Sequence, residues 1–598
     1  MSVNKNDMKK KAVVFGGTDG HGVVMTGLSG RNLESEKFEC RMVCEFIFLP
    51  QNQTELFKKK FWGTGNVGLF WGITFPNYSF SDLKEGDLVI VVDIPLGVDD
   101  RFPYLSLDGA LKCIKGLTER GIRVIIIDHH KMAVTYYGMA REAGAEIVIS
   151  SSAVTTHYGI PDEFSLEWGR VGAISDRDRG ELPIDPDEER LSARLDAAVR
   201  SKDPLCIPPL LDALKTGKSE EIKACLDRFN PVLTVPKNIE CLDNVVEIYD
   251  HLPQGYGNKV LGAACEKFDT DYGIGRTPGP DPAILVVTGW KREALPGALR
   301  LGLPSWKGHP DAFHYNFKGE EELTAALKEW KEQLNARDPA IPGTGSLPTV
   351  DRSDNYYRVI AAFMRRIGGG IPRYLTIHGW SHIENVLTNA RTLGSLFNLK
   401  EDEQYLLDWA ALLHDLGRGA GEVYRIKMDD PVKEKEDVDE NHHLYSVMMI
   451  REWAQKGFFE NFLNNDEIDA VADLCMRHRQ KINPPEEPDW LRKLSIFLKI
   501  ADAMDIDRRR AQKNDQGEYF EEIHDMPEDS VPHWLGHRAI KAVRVYARPD
   551  TVEFELIVTN LQDAEYQVKR FEREIKRLKE YFSFGSFVTE VRRKVTTG

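Results

Sequence analysis

At 598 residues the chain is too long for a single hydrophobic core, and ordinary domain size predicts about three to five units. Its 42% hydrophobic and 29% charged residues, with glycine and proline not in excess, predict a folded chain and argue against a long disordered region. A net charge of −16, from 78 basic and 94 acidic side chains, argues against nonspecific coating of duplex nucleic acid, because phosphate binding needs local positive charge.

The start, Met1 to Lys11, is lysine-rich without the apolar core of a signal peptide, and no stretch approaches transmembrane length. The expectation is a cytoplasmic protein with no membrane partner. Its 8 cysteines are scattered without a CxxC pair, which indicates neither a disulfide framework nor a thiolate zinc site.

Residues 11 to about 195 alternate short apolar runs with amphipathic stretches. Ala12–Phe15, Leu88–Val92, Val124–Ile127 and Ile147–Ile149 are apolar throughout, as strands buried on both faces of a parallel sheet require. Leu107–Arg120 between them has helical spacing, giving a βαβ pattern. Three runs end in charge: Ala12–Phe15 leads through Gly16-Gly17 to Asp19 and His21, Leu88–Val92 to Asp93, and Val124–Ile127 to Asp128, His129 and His130. In an open α/β sheet the ligand crevice lies beyond the carboxyl ends of the strands. A lone aspartate after a strand is usually a turn former or helix cap. Acids and imidazoles converging from several strands would instead repel one another without a cation between them. Hard oxygen ligands mixed with imidazole suit Mn²⁺ or Mg²⁺. Asp176, after the apolar stretch Val171–Ile174, extends the set, with Arg177 beside it as a candidate for substrate phosphate.

Residues 196–335 predict a second lobe, with helices over Leu205–Leu226 and Glu321–Leu334 and a strand over Ala283–Thr288. Residues 336–355, rich in Pro, Gly and Ser, form the candidate linker. Residues 356–515 have the apolar period of helices throughout, and 516–598 read as a small α+β tail with a hairpin over 539–558, turning at Pro549-Asp550, and a helix over Asp563–Phe582. The predicted architecture is a doubly wound parallel α/β sheet (1–195) with a second lobe, a linker, an all-α domain and that tail.

Within the all-α segment, His382 heads the stripe Val386, Ala390, Leu393, Phe397, and His414-Asp415 closes an apolar helix over Tyr405–Leu413. His442 opens a third helix, His478 lies on the stripe of a fourth, and Asp502 ends the run Leu494–Ala501. Any one of these histidines alone reads best as a satisfied core residue. Buried charges are paired or metal-bound, so six such groups on inner helix faces point to a metal centre. His378, Lys499 and Arg508 are weaker candidates for holding a substrate phosphate near it.

GGTDGHG, VVDIP, IIIDHHKM and AISDRD, in this order over roughly the first 195 residues, resemble the motifs of the DHH phosphoesterases. That family includes single-strand exonucleases, cyclic-dinucleotide and oligonucleotide phosphodiesterases, exopolyphosphatases and pyrophosphatases. The resemblance implies metal binding by Asp19, His21, Asp93, Asp128 and Asp176, with His129 and His130 orienting metal or phosphate and Asp128 central to catalysis. The family's first motif, His-x-Asp-x-Asp, here has Gly17, Asp19 and His21, so one ligand is missing and one acid is an imidazole.

HIENV, ALLHDLG, HHLYS, MRHRQ and KIADAMDIDR resemble the HD-domain metal phosphohydrolases, most closely the HD-like region of exopolyphosphatase/guanosine pentaphosphatases. This implies that His382, His414, Asp415 and Asp502 hold one divalent ion and His442 and His478 a second, with Mn²⁺, Fe, Ni²⁺ or Zn²⁺ as the metal and His414 and Asp415 catalytic. Together the resemblances imply a two-centred phosphohydrolase acting on a nucleotide or short single-stranded nucleic acid, or on polyphosphate. The alternative is a nucleotide-sensing scaffold whose DHH-like half binds without turnover. A homo-oligomer is left open.

Overall fold

A computed structural model of the chain describes residues 10–44, 80–94, 107–130, 134–177, 184–277, 283–336 and 375–595, with short breaks inside several of these spans, and isolated positions between 360 and 364. The described residues divide into two compact units. One comprises Met1–Val232, Lys541–Thr559 and Ser586–Gly598, and the other Leu233–Ile540 and Asn560–Gly585.

The first unit is built on β1 (Lys11–Gly16), β2 (Glu39–Cys44), β3 (Leu88–Val92), β4 (Arg123–Asp128) and β5 (Glu146–Ser150). These lie parallel in the order β2-β1-β3-β4-β5, a doubly wound arrangement with its switch between β1 and β3. All five residues of β3 are buried, which explains its unbroken apolar sequence, and each such side chain contributes about 1.5–3 kcal/mol. Helix α1 (Gly20–Ser35) starts at once after β1, capped by the Asp19 side chain, which accepts from the Gly22 amide.

The sheet does not end at β5. Strand β12 (Ile540–Arg548) pairs antiparallel with β5, Arg544 opposite Ser150 and Ala547 opposite Ile147. β13 (Thr551–Val558) and β14 (Val588–Val595) follow, making eight mixed strands. The expected hairpin therefore exists, with its turn outside the described residues, but it completes the N-terminal sheet instead of forming part of a separate tail. Its pattern announces a strand pair; which sheet edge it meets is a non-local choice. Buried Arg544 fixes the join, donating to the carbonyls of Thr155 (2.5 Å), Gly159 (2.7 Å) and His157 (3.3 Å).

The boundary of the second lobe also moves. Helices over Pro186–Ser201, Ile207–Thr216 and Ser219–Leu226 send Leu195, Leu210, Leu214 and Leu226 into the same core as β1 and β3. They belong to the first unit because their apolar stripes need that sheet. The lobe itself carries β6 (Ile239–Cys241), β7 (Val245–Ile248), β8 (Tyr272–Thr277), β9 (Ala283–Thr288), β10 (Lys307–His309) and β11 (Ala312–Asn316). They form one six-stranded sheet in the order β10-β11-β9-β8-β7-β6. The helix Glu320–Asn335 packs Leu323, Leu327, Trp330 and Leu334 against it in one cluster. The helix Gly257–Phe268 packs Val260, Leu261 and Ala264 against it in another. The expected strand Ala283–Thr288 is found as β9. After Ala336, the expected linker lies outside the described residues.

From Trp380 the second unit is helical: Trp380–Leu396, Glu401–Leu413, Pro431–Gln455, Asn465–Arg477 and Asp489–Met504, then Leu561–Tyr581. The last helix runs antiparallel to Asp489–Met504. Arg570 meets Asp502 at one end, and Tyr581 donates to Asp489 (2.8 Å) at the other. His442 sits in the middle of its 25-residue helix, not at the start the pattern predicted. No helix among the described residues is long and apolar enough to cross a membrane. None of the described cysteines is disulfide-bonded.

Candidate metal centres

The N-terminal centre sits at the switch point of the parallel strands. Asp93 leaves β3 with φ 55°, a left-handed conformation that costs a non-glycine residue energy and here turns its carboxylate back over the strand ends. Its Oδ2 lies 2.9 Å from His21 Nδ1 and its Oδ1 3.2 Å from His129 Nε2. Asp176 Oδ2, from the end of the helix Glu163–Ser175, is 3.6 Å from His21 Nδ1 and 3.3 Å from His129 Nε2. His21, Asp93, His129 and Asp176 thus converge with ligand atoms within 4.8 Å of one another, and Asp93, Asp128 and His130 form an overlapping group. His21 Nε2 lies 2.9 Å from the Ala153 carbonyl. Donation there leaves Nδ1 facing the acids, so the carbonyl orients the nitrogen that a metal would take once its proton is lost.

Asp128 behaves differently from a free ligand. Its Oδ1 accepts from the amides of His129 (2.8 Å) and His130 (3.2 Å) and lies 2.6 Å from His130 Nδ1, while its Oδ2 accepts from Tyr137 Oη at 3.1 Å. Its Oδ1 is committed to the two histidines and its Oδ2 to Tyr137. Asp19 is outside the ligand group, since its carboxylate caps α1. Gly17, where the DHH pattern has a ligand, has no room for one: a Cβ there would stand 2.7 Å from the Asp93 carbonyl and 3.3 Å from Asp93 Oδ2. Arg177, buried and also left-handed at φ 58°, follows Asp176 directly.

The electrostatics describe a site short of positive charge. Burial alone would depress the His21 imidazole, but Asp93, then Asp176 and Asp19, raise it to about 10. Burial likewise opposes the charge on His130, and Asp128, Asp93 and Asp176 overcome it, again to about 10. Burial, reinforced by Asp93 and Asp176, pushes the Asp19 carboxyl up. Protons on imidazole hold the acids together, a role a divalent cation fills better. The donor set of carboxylates and imidazoles fits a hard-to-borderline ion.

The C-terminal centre has two trios, His382, His414, Asp502 and Asp415, His442, His478. Asp415 stands between them. Its Oδ1 is 3.1 Å from His442 Nε2, 3.7 Å from His478 Nε2 and 3.8 Å from His414 Nε2, and its Oδ2 is 3.8 Å from His382 Nε2. The expected division put Asp415 with His382, His414 and Asp502; its carboxylate lies near His382 and His414 and also near His442 and His478.

His414 and His478 occupy equivalent positions at the ends of two helices, Glu401–Leu413 and Asn465–Arg477. Each points Nδ1 at the carbonyl three residues back, Ala411 at 2.8 Å and Cys475 at 2.5 Å. That bond satisfies an orphan helix-end carbonyl and turns Nε2 inward, where His478 Nε2 meets His442 Nε2 at 3.1 Å. His414 Nε2 is buried with no hydrogen-bond partner, as an atom held for a metal would be. Burial pushes the His414 imidazole down, and burial with His442 and His414 pushes His478 well down, so both are neutral donors. Despite burial, Arg418, His414 and His442 keep Asp415 well below the usual carboxylate range. The residues present therefore fit a divalent ion of the Mn²⁺, Fe, Ni²⁺ or Zn²⁺ type.

The supporting residues differ from those expected. Of the run Arg508–Arg510, it is Arg510 that reaches the centre, 4.0 Å from Asp502, because Arg509 is paired with Asp507 at 2.8 Å and Arg510 folds inward to the Ile377 carbonyl at 2.9 Å. Lys499 donates to the His478 carbonyl at 3.0 Å, and its burial lowers its ammonium to about 8. His378 points Nδ1 at the Thr376 carbonyl (2.5 Å) with its ring 5.6 Å from that of His382. The pattern missed Asp505, whose Oδ2 lies 2.6 Å from His382 Nδ1; its position three residues after Asp502 was the available signal. It missed Arg418, 2.6 Å from Asp415 Oδ2, and Arg570, 3.2 Å from Asp502 Oδ2.

Residues 371–582 match the HD-CE family model. No curated protein matches the chain. Among solved structures, it is similar to the exonuclease RecJ bound to manganese, at 13% identity and TM-score 0.27, over 55% of this chain and 89% of that one. It is similar to RecJ in complex with Mn²⁺ from Thermus thermophilus, at 14% identity and TM-score 0.28, over 57% of this chain and 55% of that one. A putative family II inorganic pyrophosphatase from Methanococcus jannaschii gives 14% identity and TM-score 0.15, over 54% of this chain and 99% of that one. All three overlaps are loose.

Proposed function

We propose that this chain, with its HD-CE match over residues 371–582, is a divalent-metal-dependent phosphohydrolase with two separate centres, cutting phosphodiester or phosphoanhydride bonds of a nucleotide-type substrate. The observation that carries the reading is the C-terminal set of six ligands, five buried and Asp502 partly so, in which one acid serves both trios and two histidines are held neutral with Nε2 inward. A divalent ion bound there supplies Lewis acidity at a phosphoryl oxygen and brings the pKa of water down toward about 7.

The chain's own residues do the rest. Asp505 and the carbonyls of Ala411 and Cys475 hold His382, His414 and His478 in register. Arg418 keeps Asp415 ionised, and Lys499 ties the His478 turn down. At the N-terminal centre Asp128 and Tyr137 fix the DHH turn, leaving His129, Asp93 and Asp176 to face the crevice. One observation favours a second reading of that half as a binding module: position 17 cannot carry a ligand side chain.

The test is product release with Mn²⁺ from short single-stranded oligonucleotides, cyclic dinucleotides, nucleoside polyphosphates and polyphosphate, for wild type, Asp128→Ala and Asp415→Ala. Loss of different activities in the two variants supports two working centres. Loss with Asp415→Ala alone leaves the N-terminal half as the binding module, and turnover indifferent to both variants and to chelation sinks the proposal.

A further inference from the structure

Around the C-terminal centre, burial is uneven. The side chains of His382, His414, His442, His478 and Asp415 are between 0% and 3% exposed, whereas Asp502 is 14% exposed. Among the described ligands, the more open side of the centre is therefore the Asp502 side. Among the described residues three guanidiniums approach the acids, and two are enclosed and committed. Arg418, 7% exposed, is bound to Asp415, and Arg510, 4% exposed, donates to the carbonyls of Ile377 (2.9 Å) and Asp505 (3.2 Å). Arg570 is different. It is 24% exposed, and its one described bond is a single 3.2 Å contact from Nη2 to Asp502 Oδ2.

Arg570 is also held in place. Its helix, Leu561–Tyr581, buries Val568, Phe571, Ile575 and Leu578 and is pinned at its far end by Tyr581 on Asp489, with Arg492 stacked 4.9 Å over the Tyr581 ring. A guanidinium on a fixed helix, beside the most exposed of the described ligands, with donor capacity beyond one bond to a carboxylate, is a preformed receptor for a second anion.

We infer that Arg570 is a substrate-binding residue of the C-terminal centre, taking a phosphoryl oxygen of the incoming substrate at the Asp502 edge. The inference rests on the proposed phosphohydrolase reading and adds to it where the phosphate enters and which residue, some 68 positions from Asp502, receives it. Asp502 and the substrate phosphate share the fork, so the arginine stays neutralised before and after binding. Because Arg570 touches solvent and comes from a separate helix, it selects for an exposed phosphoryl group over a neutral ligand.

The test uses the full chain and two titrations: Mn²⁺ into metal-free protein, and inorganic phosphate into Mn²⁺-loaded protein, for wild type, Arg570→Ala and Arg570→Lys. Loss of a charge-assisted bond weakens phosphate binding by roughly tenfold or more in Arg570→Ala. The expected result is that weakening with unchanged Mn²⁺ affinity, partly rescued in Arg570→Lys. Unchanged phosphate affinity overturns the inference. So does a parallel loss of Mn²⁺ and phosphate affinity, which would make Arg570 a positioning residue for Asp502. Should Arg570→Ala fail to fold, Arg570→Lys alone still decides, since a bidentate fork does not survive that exchange at full strength. If wild type and Asp415→Ala bind Mn²⁺ alike, the phosphohydrolase reading fails instead.

Discussion

His382 and Asp505 form a buried pair, Nδ1 to Oδ2 at 2.6 Å, and Asp505 takes a second bond from Asn385 Nδ2 at 3.0 Å. The pair turns His382 Nε2 toward Asp502, 3.4 Å away. Despite burial, His382 and Arg510 hold the Asp505 carboxyl down at about 2, so it is a permanent acceptor at working pH.

Asp505→Asn keeps the shape but weakens the acceptor and permits the wrong imidazole tautomer. Loss of such a partner lowers metal affinity by about 10–100-fold. Mn²⁺ titration should show this at the C-terminal centre only, and an Asp505→Asn protein with wild-type affinity would make the pair merely structural.

Replacing Gly17 by His, the direction that would repair the DHH pattern, should harm the protein. The added Cβ meets the Asp93 carbonyl at 2.7 Å, and overpacking of this kind costs about 1–3 kcal/mol. A lower Tm with no gain in bound metal is expected; a second ion at unchanged stability would show that the turn can relax.

The two centres should differ in proton release. His21 and His130 are raised to about 10, so both are protonated at pH 7.5, and metal ligation by His21 must expel about one proton. His414 and His478 are already neutral and release none, so any proton from the C-terminal centre comes from His382, whose imidazole is raised, against burial, by Asp502 and Asp505. Calorimetric titration in buffers of different ionisation enthalpy, on Asp128→Ala and Asp415→Ala proteins, separates the two.

The same shift sets a stability trend for metal-free protein. A histidine whose folded pKa is raised stabilises fully below its unfolded value of 6.5, and that contribution is lost as pH rises toward 10. Thermal stability of the N-terminal unit without metal should therefore fall between pH 6.5 and 10, and saturating Mn²⁺ should flatten the fall. A flat profile without metal would show that His21 is neutral in the crevice.

Arg544→Met should destabilise the N-terminal unit, although the residue lies near the other end of the chain. Its removal strands three carbonyls and leaves Glu555, 3.6 Å away, a buried acid without this partner, for a cost of about 3–5 kcal/mol. Chemical denaturation monitored on both units would reveal whether the loss is confined to the first.

Much of this was legible in the residues alone. Unbroken apolar runs ending in Asp93 and Asp128 marked strands buried on both faces, and histidines on helical stripes marked an inward-facing set, because both signals are periodic and local. What no local pattern carries is partner choice. The hairpin's alternation identified two strands but could not say that β12 would close on β5, roughly 400 residues earlier, since any exposed strand edge offers the same backbone groups. Likewise, Asp505 and Arg570 read as ordinary surface charges until helix packing places them against His382 and Asp502. The division of the six ligands with Asp415 between trios follows from where two helix ends meet in space. Periodicity determines which face of an element is buried; only the packing of distant elements decides what that face meets.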